Sequence, residues 1–156
     1  MNKWVQLAIF IIVLQILAFL TSYFVTENAV GSWYQDIVKS PLNPPDWVFA
    51  PVWATLYTMI AISGWILWRN RLHPDAKTAL VFFIAQLAGN YIWSPVFFGL
   101  GAFHAAFWLI IWIDAAILAT ILATQRASKP AAYLLVPYLL WGLFATHLTY
   151  FVAFNN

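Results

Sequence analysis

The chain has 156 residues, of which 64% are hydrophobic and only 8% are charged, so it is too apolar for a water-soluble domain of this length. Its net charge of +2 comes with only seven Lys and Arg residues, which excludes the basic surface that nucleic-acid binding requires. The absence of cysteine excludes disulfides, thiolate catalysis and cysteine metal sites. The composition therefore indicates an integral membrane protein, with the lipid bilayer as a partner.

Several apolar runs are long enough to cross a bilayer, which takes about 20 helical residues. The first is longer than the core of a signal peptide and has no small-residue cleavage site, so we interpret it as a membrane span. The short links between later runs should make successive helices antiparallel neighbours. The sequence thus predicts an all-α membrane protein, a single five-helix transmembrane bundle. Its predicted spans are 4–25, 47–68, 78–98, 104–124 and 131–154, with a long loop over 26–46.

The distribution of basic residues predicts the orientation of the chain. Six Lys and Arg residues fall on one side of the predicted bundle, whereas Lys39 alone falls on the other side, in the long loop. Because basic residues concentrate in cytoplasmic loops, we expect a cytoplasmic N-terminus and an external C-terminus and long loop. In a bacterium the membrane would be the cell, or inner, membrane. The six residues are Lys3, Arg69, Arg71, Lys77, Arg126 and Lys129.

A stiff loop leads into the second span. Three prolines fix the backbone over 40–46, and the helix that follows carries Phe49, Trp53 and Tyr57 at intervals of four residues. This spacing places the three rings close to one helix face. An aromatic face beneath a rigid loop suggests a lidded pocket for a large flat molecule.

The third span contains a second stripe, formed by Gln86, Asn90, Trp93 and Phe97. Amides within a membrane helix need partners inside the protein. One interpretation is hydrogen bonding between helices. The other is a polar contact to a ligand that also stacks on the two aromatic rings.

Prolines lie within three of the predicted spans, at Pro51, Pro95 and Pro137. An internal proline frees a backbone carbonyl and bends its helix. Each proline can be a packing kink, which is common in membrane helices. Three kinks in a small bundle would also be compatible with a splayed cavity.

Asp114 is the only acid in the interior of a predicted span. A carboxyl within the membrane is a functional candidate by default, because burying its charge costs on the order of 3 kcal/mol even on insertion scales. The alternative is a protonated carboxyl that donates a hydrogen bond to another helix. Both interpretations remain open at this stage.

In the fifth span, Trp141, Ala145 and Thr149 share a helix face, and the small alanine leaves room beside the indole. His147 should point away from that face. No two histidines are four residues apart, so we predict no metal site. The sequence also lacks a catalytic triad and a nucleotide-binding loop.

Three segments together resemble the TspO/MBR family, which comprises tryptophan-rich sensory proteins and translocator proteins and is also called the peripheral-type benzodiazepine receptor family. The segments read WYQDIVKSPLNPPDWVFAPVWATLY, QLAGNYIWSPVFFG and VPYLLWGLFATHLTY. The matching residues include Trp33, Tyr34, Pro44, Pro45, Trp53, Leu56, Tyr57, Gln86, Leu87, Asn90, Trp93, Pro95, Phe97, Phe98, Gly99, Pro137, Tyr138, Trp141, Phe144 and Ala145.

The resemblance implies a five-helix bundle, often a homodimer, with a cavity that opens toward the first loop. It further implies a receptor or transporter with a sensory or regulatory role in porphyrin and stress metabolism, which binds protoporphyrin IX, haem or other flat hydrophobic molecules. Porphyrin would be a ligand, and no cofactor is required. The residues carried over by the resemblance are Tyr34, Trp53, Asn90, Phe97, Trp141 and Ala145. The full predicted ligand-binding set adds Phe49, Tyr57, Trp93 and Tyr138.

The resemblance leaves two alternatives for the function. Some bacterial members of the family promote light-dependent breakdown of protoporphyrin, and in that case Trp53 and Trp141 would be the catalytic residues. The other alternative is a regulatory membrane protein that acts through a protein partner.

The chain also departs from the family pattern, because Leu42 replaces a loop tryptophan and no base follows Tyr150. The sterol motif of animal members needs that base, so sterol recognition of that kind is not predicted.

Overall fold

A computed structural model describes residues 2–156 of the chain, and these residues form helices and no β-strand. Within this described part, five helices are long and apolar enough to cross a membrane. This result confirms the predicted all-α, five-span architecture. The helices are α1 (Lys3–Val30), α2 (Asp46–Arg69), α3 (Ala76–Gly99), α4 (Phe103–Ala127) and α5 (Lys129–Asn155).

The first helix is longer than the sequence predicted. After Thr21 the backbone widens into a π-helical turn, Ser22–Thr26, and then returns to α-helix over Glu27–Val30. The polar residues of this last turn do not interrupt the helix, which ends at Val30 and is followed by Gly31. The loop is correspondingly shorter and covers 31–45, with a 3₁₀ turn at Trp33–Gln35.

The packing of the helices encloses a central space. Helix α4 packs extensively against both α3 and α5, while α2 packs against α1 and α5. Contacts between α1 and α3 are sparser. The order around the bundle is therefore α1, α2, α5, α4, α3.

Because successive helices are antiparallel, the loop 31–45 lies at one end, which we call the loop end. The other end, which we call the basic end, carries the six basic residues named above.

The basic end is closed by small and well-buried side chains. Leu67 of α2 and Ala76 of α3 are fully buried there. Ser63 donates a hydrogen bond of 2.8 Å to the carbonyl oxygen of Ala131, which joins α2 to α5. Gly64 allows the ring of Phe83 to approach the α2 backbone, at a position where an added Cβ would collide with it. Small residues that permit such close approach are typical of packed membrane helices.

The three prolines differ in their effect. The α-helical part of α2 begins at Phe49, after a 3₁₀ turn at Asp46–Val48. Pro51 lies in its first turn, where a missing N–H leaves no hydrogen bond unmade, so it does not interrupt the helix. Pro95 begins a second π-helical turn, Pro95–Gly99, which ends α3. Pro137 lies inside α5. Of the three, Pro95 coincides with a change of helix type beside the central space.

Candidate functional site

A cavity of about 610 Å³ extends from the loop end to the middle of the bundle. This volume falls in the range of small-molecule sites, which is about 300–1,000 Å³. All five helices and the loop 31–45 contribute to the wall. The ten residues predicted to bind ligand all lie on it. They are Tyr34, Phe49, Trp53, Tyr57, Asn90, Trp93, Phe97, Tyr138, Trp141 and Ala145.

Aromatic rings form two sides of this cavity. On one side, the ring of Trp53 lies 5.5 Å from Tyr57 and 6.2 Å from Tyr138, centroid to centroid. On the other side, Trp93 and Phe97 stack at 4.9 Å with their planes 17° apart. Helical spacing had predicted both aromatic faces, because residues four apart lie on the same side of a helix. The structure brings the two faces to the same cavity.

Asn90 connects three helices through hydrogen bonds. The Tyr57 hydroxyl donates to Asn90 Oδ1 at 2.5 Å, and Asn90 Nδ2 donates to the Tyr138 hydroxyl at 2.8 Å. The interpretation of interhelical hydrogen bonding is therefore confirmed for Asn90, which also lies on the cavity wall. Gln86 behaves differently: it is fully buried away from the cavity, and its amide has no hydrogen-bond partner among residues 2–156.

Tyr34 covers the cavity from the loop. Its buried ring packs edge-on against Phe98 at 5.4 Å, and Lys39 Nζ lies 4.1 Å from its centroid. Burial raises the pKa of the Tyr34 hydroxyl, and the nearby charge of Asp46 raises it further, whereas a hydrogen bond with Asn43 opposes the shift. The phenol therefore remains protonated at neutral pH, so it keeps a hydrogen-bond donor at the cavity wall.

The loop is attached to the end of α5 by two sets of hydrogen bonds. The side-chain amide of Asn156 accepts from the Val38 N–H at 2.8 Å and donates to the Val38 carbonyl at 3.1 Å. Ser40 Oγ lies 3.2 Å from His147 Nε2. His147 thus contacts the loop and stays outside the cavity, which confirms that it does not share the face of Ala145.

Two polar atoms beside the cavity lack a partner. The indole N–H of Trp141 is buried without a hydrogen-bond acceptor anywhere in residues 2–156, although its ring packs edge-on against Phe49 at 5.9 Å. Asp114 also lies on the cavity wall. Its Oδ2 accepts a 2.7 Å hydrogen bond from the Thr146 hydroxyl, while Oδ1 has no partner in the same described part. The hydrogen bond between Thr146 and Asp114 joins α5 to α4.

Comparison with known proteins identifies the family. The sequence model of the TspO/MBR family matches residues 9–154, nearly the whole chain. The chain belongs to the TspO/MBR family. It is 37% identical to the tryptophan-rich protein TspO of Archaeoglobus fulgidus over 133 residues, which is 85% of this chain and 86% of the relative. It is 34% identical to the translocator protein of Homo sapiens over 155 residues, or 98% and 91% of the two chains.

This TspO/MBR membrane protein also has wall residues that were not predicted from the sequence, and the largest group of them comes from α1. Gln15 lies on the wall, and its side chain donates to the Ala54 carbonyl at 2.7 Å and to the Thr58 hydroxyl at 3.0 Å. The polar residues that interrupt the first apolar run were the sequence signal that could have indicated a role for α1 in the wall. Other α1 residues on the wall are Ala18, Phe19, Thr21, Ser22, Thr26, Glu27 and Val30.

The two π-helical turns meet at the loop end of the TspO/MBR cavity. Ser22–Thr26 packs against Pro95–Gly99, and Gly99 faces the side chain of Val25. Such turns occur frequently at functional sites because they widen the backbone and redirect side chains.

Leu42, which replaces the loop tryptophan of the family pattern, is 63% exposed and lies off the cavity. The loop residues that lie on the cavity wall are instead Tyr34 and Asn43.

Proposed function

We propose that this TspO/MBR protein is a membrane receptor or transporter that binds a tetrapyrrole, such as protoporphyrin IX or haem, in the cavity beneath the loop. The observation that supports this proposal is the size and lining of the cavity, about 610 Å³ with two groups of aromatic rings on its wall. A porphyrin offers a large flat apolar surface, and burial and ring contacts would provide most of its binding free energy. A sensory or regulatory role in porphyrin and stress metabolism is the corresponding cellular function.

Tryptophan substitutions test this proposal. Trp53→Phe and Trp141→Phe each keep a ring on the wall but remove contact area and an indole N–H, so we expect protoporphyrin affinity to fall about threefold to tenfold. The matched control is Trp68→Phe, since Trp68 is half-exposed at the basic end of α2. Fluorescence titration of the purified proteins in the dark measures all four affinities. Loss of binding in the Trp68 variant alone would place the site at the basic end and contradict the proposal.

A light-dependent activity is a second candidate, supported by a series of oxidisable rings beside the cavity. Trp53 contacts Tyr57, whose ring stacks on Tyr91 at 5.6 Å with an interplanar angle of 7°. In this reaction an indole of Trp53 or Trp141 gives one electron to the excited porphyrin. The porphyrin becomes a radical anion, the indole becomes a radical cation, and molecular oxygen is the oxidant for ring breakdown.

Illumination separates the candidates. A new absorbing product that forms only in light, and forms much more slowly in the Trp53→Phe and Trp141→Phe proteins, would support the degrading activity. Binding without such a product would support the receptor or transporter. If neither binding nor product is observed, the remaining alternative is a regulatory protein that acts through a protein partner.

We also propose that the basic end faces the cytoplasm and the loop end faces outward, following the excess of Lys and Arg at the basic end. Because the chain has no native cysteine, single cysteines at positions 36 and 128 report the orientation directly. An impermeant thiol reagent applied to intact cells should label the Asp36→Cys variant and not the Ser128→Cys variant. The reverse labelling pattern would contradict this orientation.

A further inference from the structure

The charged side chains on the cavity wall are all acidic. They are Glu27 and Asp46 near the loop end, and Asp114 halfway along α4. No Lys, Arg or His of residues 2–156 lies on the wall. Lys39 is held at the cavity rim, over the ring of Tyr34, and the other Lys and Arg residues lie at the basic end. The cavity thus presents a negative electrostatic environment to any ligand that enters it.

Asp114 is the acid whose surroundings indicate a missing partner. Its side chain is only 7% exposed, and Thr146 satisfies just one of its two oxygens. The other oxygen, Oδ1, lies beside Gly142, which also belongs to the cavity wall and has no side chain to fill the space. An added Cβ at Gly142 would collide with this oxygen. The absence of a side chain at Gly142 therefore leaves room for the carboxyl at the wall.

The bundle itself offers this carboxyl no counter-charge. In the described residues 2–156 the one acid–base contact is between His73 and Asp75, in the link between α2 and α3. By contrast, the amides of Gln15 and Asn90 on the same wall already have protein hydrogen-bond partners. A buried acceptor without a partner is costly, and acids within membrane spans usually serve a ligand, an ion or a proton path. Oδ1 is closed to solvent, but Asp114 belongs to the cavity wall, so a ligand N–H donated to this carboxyl would remove that cost.

We infer that the cavity binds flat aromatic amines, with the ammonium group hydrogen-bonded to Asp114 and the ring between the aromatic walls. The same carboxyl disfavours a ligand whose carboxylate would lie as deep in the cavity as Asp114. A tetrapyrrole would then bind with its carboxylates at the rim, near Lys39. The amine inference does not require tetrapyrrole binding, because it rests on Asp114 and the ring contacts alone.

Three fluorescent probes with the same ring system test the inference. They are 1-pyrenemethylamine, 1-pyrenemethanol and 1-pyrenecarboxylic acid, which are positive, neutral and negative at pH 7. Binding to the purified full-length protein is measured in an uncharged detergent, by energy transfer from tryptophan to pyrene. We expect the amine to bind about tenfold more tightly than the alcohol, since hydrogen bonds to charged groups are the stronger class, and the carboxylate to bind most weakly. Equal affinities for the three probes would overturn the inference.

The Asp114→Asn variant assigns the effect to one residue. The asparagine oxygen still accepts from Thr146, whereas its NH₂ group replaces the free acceptor with a donor. We expect amine affinity to fall about tenfold and alcohol affinity to change less than about twofold. The matched control is Asp36→Asn, which removes an exposed loop acid off the cavity wall and should change amine affinity less than about threefold. Equal losses for amine and alcohol in Asp114→Asn, or a larger amine loss in Asp36→Asn, would overturn the role of Asp114.

The alcohol probe also reports folding, because a variant that binds it normally has an intact cavity. If Asp114→Asn does not fold, the comparison of the three probes on the unmodified protein still decides the inference. Protoporphyrin is titrated into the same preparations. Amine preference without porphyrin binding would support the inference and contradict the proposed function, and porphyrin binding without amine preference would do the reverse.

Discussion

The two ends of the bundle are built from the same helices but pack in opposite ways. At the basic end, Leu67, Ala76 and Ala132 are fully buried, and the helices are in close contact. At the loop end, the same helices carry large rings and separate around a cavity of about 610 Å³. Two π-helical turns, one in α1 and one in α3, occur only at this end of the described residues.

Side-chain size explains this difference. Alanine, serine and glycine allow helix backbones to approach, so van der Waals contact stabilises the basic end. Tryptophan, tyrosine and phenylalanine hold the helices apart at the loop end, where the rings pack against one another along the wall and leave a space between the walls. We therefore expect the basic end to determine stability and the loop end to determine binding, and substitutions at matched positions can separate these two roles.

The largest expected effect is at the basic end. Leu67→Ala removes a fully buried side chain and leaves a void, so the free energy of unfolding should fall by about 2 to 3 kcal/mol. The control is Leu118→Ala in α4, where the leucine is 46% exposed and lipid can fill the space, and the loss should be under about 1 kcal/mol. Thermal unfolding in detergent measures both. Equal losses would show that the basic end is not the stabilising region.

A single type of substitution in α5 contrasts the two ends directly. Ala132→Leu overfills the packed end and should destabilise the protein by about 2 kcal/mol without changing ligand affinity. Ala145→Leu projects into the cavity, so stability should change by less than about 0.5 kcal/mol while protoporphyrin affinity falls about tenfold. Unfolding and fluorescence titrations on both variants provide the measurement. A binding defect in Ala132→Leu with none in Ala145→Leu would contradict the assignment of roles.

The hydrogen-bond network around Asn90 links the two roles, because it joins three helices on the wall of the cavity. Tyr57→Phe removes the donor to Asn90 Oδ1, and the free energy of unfolding should fall by about 1 kcal/mol. Tyr133→Phe is the control, since Tyr133 is exposed on the outer surface of α5 and the same atom change should have no measurable effect. Comparable losses of unfolding free energy in the two variants would mean that the hydrogen bond from Tyr57 to Asn90 contributes nothing to stability.

The smallest expected effect concerns the attachment of the loop. Asn156→Ala breaks both hydrogen bonds to the Val38 backbone, so protoporphyrin should dissociate about threefold faster while stability stays within about 0.5 kcal/mol. Asn155→Ala is a matched control, because the Asn155 amide donates to the Phe151 carbonyl of its own helix. Stopped-flow displacement measures the rates. An unchanged rate in Asn156→Ala would show that this contact does not control access to the cavity.

Local periodicity determined much of the candidate site. Phe49, Trp53 and Tyr57 share a face because residues four apart on a helix do so whatever surrounds them, and the same holds for Asn90 and Phe97. Hydrophobic length likewise predicted the number of spans. These features depend on neighbours in the sequence, so they could be derived without knowing how the helices pack. The ligand-binding role of the site remains a prediction.

Tertiary structure decided the features that depend on contacts between distant segments. Gln86 and Asn90 are one turn apart, yet only Asn90 reaches the cavity, because Gln86 lies closer to the basic end, where the helices have already closed together. The contact of Val38 with Asn156 joins residues 118 positions apart. The position of Asp114 beside Gly142 depends on how α4 packs against α5. The sequence by itself determined which residues share a helix face, whereas packing between helices decided which of those faces surround the cavity, because that depends on the fit of side chains from separate helices.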